Sequence, residues 1–107
     1  MTTFDDRQRG FEAKFVADEE MAFRVTARRN RLLGHWAAEL MKLTPAEADA
    51  YARTVVHAEF EEAGDEDVVR KLAGDLNAAG VDIDEVAVRH ALDDRMVEAR
   101  RQLMESR

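Results

Sequence analysis

Apolar positions recur along this chain at helical spacing from its first residues. Phe4, Phe11, Phe15, Ala22, Val25, Trp36, Leu40 and Leu43 fall on one side of a helix turning roughly 100° per residue. The two halves of this stripe differ in company. From Leu32 onward Leu33, Trp36, Ala37, Leu40, Met41 and Leu43 are dense enough to belong to a core. Phe4, Phe11 and Phe15 stand instead among charges, in a segment too polar to anchor a domain and too aromatic for a plain tail. Such a segment reads as a helix that inserts into a groove of another protein.

Capping signals divide the rest. Thr3-Phe-Asp-Asp6 offers a weak helix start, and Gly10 costs its first turns about 1 kcal/mol relative to alanine. The well-supported first helix spans 17–42. Thr44-Pro45-Ala46-Glu47 is a capping box with proline where the missing N–H is harmless. The helix it opens should bury Ala48, Tyr51, Ala52, Val55 and Ala63 and close at Gly64. Asp65 is the expected cap of a third helix, with Val68, Val69, Leu72, Ala73 and Leu76 as its stripe and Gly80 at its end. Asp82-Ile-Asp-Glu85 reads as a second capping box, with Val81 and Val86 as a hydrophobic staple. The fourth helix then carries Val88, Leu92, Met96, Ala99 and Leu103. No strand alternation appears. The expected fold is all-α: an antiparallel four-helix bundle over 17–107, joined by loops of two to four residues. Residues 1–16 form a mobile N-terminal arm, helical when bound.

Composition narrows the chemistry. The 107 residues allow one modest core. The chain has no cysteine, which excludes thiol catalysis, disulfides and Cys-ligated metals. No apolar run reaches the ~18 residues of a membrane helix, and the first residues lack the apolar core of a secretory signal. The cytoplasm is therefore the expected location. Net charge is −7, with one basic and eight acidic residues over 44–67. That balance argues against nucleic acid as a partner.

Other candidate sites are weak. His35, His57 and His90 have no second ligand at helical metal spacing, so no metal site is expected. The acidic run 59–67 lacks the ligand order of a calcium loop and reads as a helix end, a turn and a charged helix start. Arg28-Arg29-Asn30-Arg31 reads mainly as a solvated face. Arg28, Arg29 and Arg31 remain secondary docking candidates for an acidic surface. No phosphate loop or nucleophile motif is present, so no enzyme is expected.

Five blocks resemble one family along nearly the whole chain: Thr2-Thr-Phe-Asp-Asp-Arg7, Phe11-Glu-Ala-Lys-Phe15, Ala27-Arg-Arg-Asn-Arg-Leu-Leu-Gly34, Trp36-Ala-Ala-Glu39 and Phe60-Glu-Glu-Ala-Gly-Asp-Glu-Asp-Val68. Together they are similar to the zeta subunit, the inhibitory subunit of alphaproteobacterial F-type ATP synthases. The resemblance implies a four-helix bundle whose arm becomes helical as it enters the catalytic head between the alpha, beta and gamma subunits, stopping ATP hydrolysis. Carried onto this chain, the inhibitory positions are Phe4, Asp5, Asp6, Arg7, Arg9, Phe11, Glu12, Lys14 and Phe15. It also implies attachment at the inner face of the plasma membrane through the synthase, without membrane insertion, and a monomer when free. No cofactor is expected; weak ADP or ATP binding is implied by the resemblance alone. Gly10 and His35 depart from the family pattern, which bears on potency and on packing beside Trp36. The rival readings are a helix-in-groove adaptor for another protein and a metal- or nucleotide-sensing bundle.

Overall fold

Four helices follow one another: α1 (Thr3–Leu40), α2 (Pro45–Glu61), α3 (Asp65–Ala78) and α4 (Glu85–Glu105). They are seen in a computed structural model that describes the backbone of residues 3–61 and 64–105, and the side chains of 19–59 and 64–105. Ala63 therefore lies outside the described residues. The chain is all-α, an antiparallel bundle in which α1 is the spine. It packs chiefly on α2 and α4 and also touches α3.

α1 is one continuous helix of 38 residues, so Gly10 interrupts nothing, and it ends at Leu40 rather than Lys42. The end is a Schellman motif. The Leu43 N–H donates to the Ala38 carbonyl at 3.0 Å and the Lys42 N–H to that of Glu39 at 3.1 Å. Lys42 takes the left-handed conformation this requires, with φ 60°. The capping box follows at once. The Thr44 N–H donates to the Glu47 carboxylate at 2.9 Å, and the Glu47 N–H to the Thr44 hydroxyl at 3.3 Å. The Thr44 backbone N–H first, and the Thr44 hydroxyl after it, hold the Glu47 carboxyl below its ordinary range.

Two expected caps fall elsewhere. Asp65 is the first residue of α3, not its cap; Gly64 holds the cap position with φ 126°, and the Asp65 carboxylate turns to Arg29 instead. At α4 the cap is Asp84, not Asp82: its carboxylate accepts the Ala87 N–H at 2.9 Å. The staple positions therefore pass from Val81 and Val86 to Ile83 and Val88. Val88 is buried in the core with Ile83 packed against that core, while Val86 is exposed. This shift makes the α3–α4 connection six residues, 79–84, longer than expected.

The core gathers Leu33 and Ala37 from α1, Val55 from α2, Val68, Val69, Leu72, Ala73 and Leu76 from α3, and Val88, Ala91 and Leu92 from α4. Leu40 is not part of it. It is 39 % exposed, because it lies off the face on which Ala37 and Met41 meet the core. Gly34 sits where α1 and α2 come closest, over Ala52.

Candidate partner interface

The expected inhibitory residues Phe4, Asp5, Asp6, Arg7, Arg9, Phe11, Glu12, Lys14 and Phe15 all lie within the helical span of α1. Their side chains are outside the described residues. The basic cluster on the same helix is described, and it splits.

Arg29 leaves the surface. It is 2 % exposed, on the same side of α1 as Val25 and Leu33, one turn before and after it. A buried guanidinium must be paired, and three groups surround this one. Its Nε donates to the Asn30 Oδ1 at 3.0 Å, and its Nη2 to the Asp65 Oδ1 at 2.9 Å. The Glu59 carboxylate lies 3.5 Å from the same Nη2, close enough for attraction but without a hydrogen bond. Arg29 thus ties α1 to the end of α2 and the start of α3. It is a structural residue, not a docking one, and Asn30, fully buried, serves it.

Ion pairs absorb much of the acidic run. Glu59 and Asp65 face Arg29, Glu66 pairs with Arg89 at 2.6 Å, and Asp67 pairs with Arg70. Across the bundle, the Tyr51 hydroxyl donates to Asp75 at 2.7 Å, and Lys71 donates to the same carboxylate at 2.9 Å. The Lys71 ammonium also lies 5.1 Å from the centre of the Tyr51 ring. Burial first, then the bond to Asp75, push the Tyr51 phenol well above its ordinary pKa.

Arg28 and Arg31 stay exposed and border a cleft of about 550 Å³ between α1 and α2. Its walls also include Phe23, Arg24, Arg53 and His57. None of these four was legible as a site. Arg24, Arg28 and Arg31 form one helical row only when Arg29 is removed from the cluster, and Arg53 and His57 come from another helix. His35 lies nearby with its Nε2 3.4 Å from Asp49. Among the described residues no three metal-ligating side chains cluster, and no helix is long and apolar enough to cross a membrane.

A family model described as ATPase inhibitor subunit zeta matches residues 1–102. A chain solved by solution NMR is similar to this one at 46 % identity and a TM-score of 0.72, over 81 % of this chain and 99 % of that one. No curated protein matches.

Proposed function

The chain belongs to the ATPase inhibitor subunit zeta family, a regulatory and non-enzymatic subunit of ATP synthase, and from that premise we propose that it stops ATP hydrolysis by inserting the start of α1 into the catalytic head. Residues 1–16 act as the arm. Phe4, Phe11 and Phe15 fill an apolar groove, while Asp5, Asp6, Arg7, Arg9, Glu12 and Lys14 pair with the charged walls around it. The groove lies at an interface of the alpha and beta subunits with gamma, so that a helix wedged there opposes rotation. The protein works at the inner face of the plasma membrane, held there by the synthase.

The observation that carries this reading is the reach of the family match, which includes the whole arm as well as the bundle. Energetics agree with a docked arm that needs help. Burying three phenylalanines returns roughly 5–8 kcal/mol. Ordering the backbone opposes this at about 1–2 kcal/mol per residue, and a helix this short is marginal alone. Charge pairs and a second contact from the bundle make up the difference, the latter by raising the effective concentration of the arm.

The test is ATP hydrolysis by the cognate catalytic head, titrated with the full chain and with a chain lacking residues 1–16. The full chain inhibits; the truncated chain keeps the thermal unfolding midpoint of its bundle and loses inhibition. Inhibition by the truncated chain would overturn the wedge.

A further inference from the structure

The cleft between α1 and α2 concentrates cations that the rest of the molecule leaves without a carboxylate, although the Arg28 Nη1 donates to the Gln102 Oε1 of α4 at 3.0 Å. Acidic groups outnumber basic ones in this chain, 23 to 16, and most described cations outside the cleft have found a carboxylate. Arg29, Arg70, Lys71, Arg89 and Arg101 are all paired. At the cleft the pattern reverses. Among the described residues, Arg24, Arg28, Arg31 and Arg53 have no carboxylate within ion-pairing distance, although Glu20 lies one turn before Arg24. The one acid in the lining, Asp49, is the neighbour of His35.

The arrangement has direction. Arg24, Arg28 and Arg31 are spaced i, i+4, i+7 along α1, a row of about 10 Å at helical rise. Arg53 and His57, spaced i, i+4, face them from α2. Between the two rows lie Ala27, Ala52 and Val56, with Phe23 at the rim, 56 % exposed. Two basic rails with an apolar floor between them match a helix of two or three turns that carries acids on both flanks and small apolar residues below.

We propose that this cleft is a second docking surface, one that receives an acidic amphipathic helix of the catalytic head while the arm is inserted. The inference rests on the inhibitory reading above. It assigns the cleft the step in which the bundle is captured, ahead of the wedge itself. Exposed charges of this kind govern capture and its salt dependence more than the final fit.

The test titrates hydrolysis by the cognate head with three full-length proteins: the native chain, the triple variant Arg24→Gln, Arg31→Gln, Arg53→Gln, and a control, Lys42→Gln, Arg95→Gln, Arg100→Gln, with the same charge removed elsewhere. The cleft variant should need about ten-fold more protein for half inhibition, should still inhibit fully at saturation, and should lose most of the salt sensitivity of the native titration. The control should titrate like the native chain. An unchanged cleft variant, or an equal shift in the control, overturns the proposal. The arm is scored separately by the truncation above, whose failure would remove inhibition from the arm without touching the cleft titration.

A position-specific readout supports this. The chain has no cysteine, so His57→Cys with a photoreactive label reports one contact. Cross-links should map to a segment of the head rich in Asp and Glu. A segment without acids overturns the proposal. So does stabilisation of the free native chain, but not of the cleft variant, by tripolyphosphate together with an unchanged titration, which would make the cleft a small-anion site.

Discussion

A methyl group added to Gly34 would come within 2.7 Å of the Ala52 Cα and 3.1 Å of its Cβ. α1 and α2 therefore meet backbone to backbone at this point, and the first obstacle is main chain that no rotamer can clear. Gly34→Ala gains about 1 kcal/mol of helix propensity, but it must push two helices apart. A net loss of about 1–3 kcal/mol is expected. Gly74 gives the contrast: nothing lies within 4 Å of its added Cβ, so Gly74→Ala should stabilise by about 0.5–1 kcal/mol. Urea unfolding of the two variants should shift in opposite directions. Ala52→Gly should not rescue Gly34→Ala, since the Cα remains.

Arg29 should be costly to truncate. Arg29→Ala removes a buried side chain and leaves the largely buried Glu59 without its cation. The expected loss is about 2–4 kcal/mol, toward the lower part of the range for buried pairs because Asp65 is half exposed. Arg29→Met keeps the volume and should lose less. Adding Glu59→Gln to Arg29→Met should recover part of that loss, and a double-mutant cycle of unfolding midpoints measures the coupling.

Stability should fall in alkali through Tyr51. The folded chain holds the phenolic proton above its ordinary pKa of about 10. The unfolded chain releases it there. Above about pH 10 the unfolded state therefore binds fewer protons, and unfolding becomes easier as pH rises; below that value the contribution is fully present. Tyr51 is the one tyrosine of the chain, so near-ultraviolet absorbance reads its ionisation directly. Ionisation should coincide with loss of helical circular dichroism, and Tyr51→Phe should flatten the alkaline limb. Free titration of the phenol in the folded protein would contradict this.

Arm and core should separate under mutation. Leu33→Ala removes a fully buried leucine and should cost about 2–5 kcal/mol. Leu40→Ala, at an exposed position, should cost no more than about 0.5 kcal/mol. Phe11→Ala with Phe15→Ala should leave the unfolding midpoint near that of the native chain and weaken inhibition strongly. Equal destabilisation by the phenylalanine and Leu33 variants would mean that the stripe is one continuous core.

What the sequence made legible was local. The Thr44–Glu47 box and the α3 stripe depend on residues within a turn or two of each other, and both stand as expected. Asp82 and Asp84 offered two caps two residues apart, and local chemistry does not separate them. The choice falls to Val88, which is buried in the core while Val86 is left exposed when the helix begins after Asp84. Arg29 was hidden by its charge within a basic cluster. Its spacing from Val25 and Leu33 was a usable signal, because a helix cannot bury both neighbours on a face and expose the residue between them. The cleft was out of reach, since its second rail belongs to α2 and only tertiary packing sets Arg53 and His57 opposite α1.

The continuity of α1 from Thr3 to Leu40 gives the molecule a fixed angular phase. Arm and bundle share one shaft about 57 Å long at 1.5 Å per residue, so in the proposed docking the register of the phenylalanine positions is locked to that of the arginine row. One residue inserted after Val16 would turn the arm by roughly 100° relative to the cleft, whereas four would turn it by only about 40° beyond a full turn. Under the proposed docking the protein is a key whose bit and bow are cut from one blank, and misalignment should cost it more than added length.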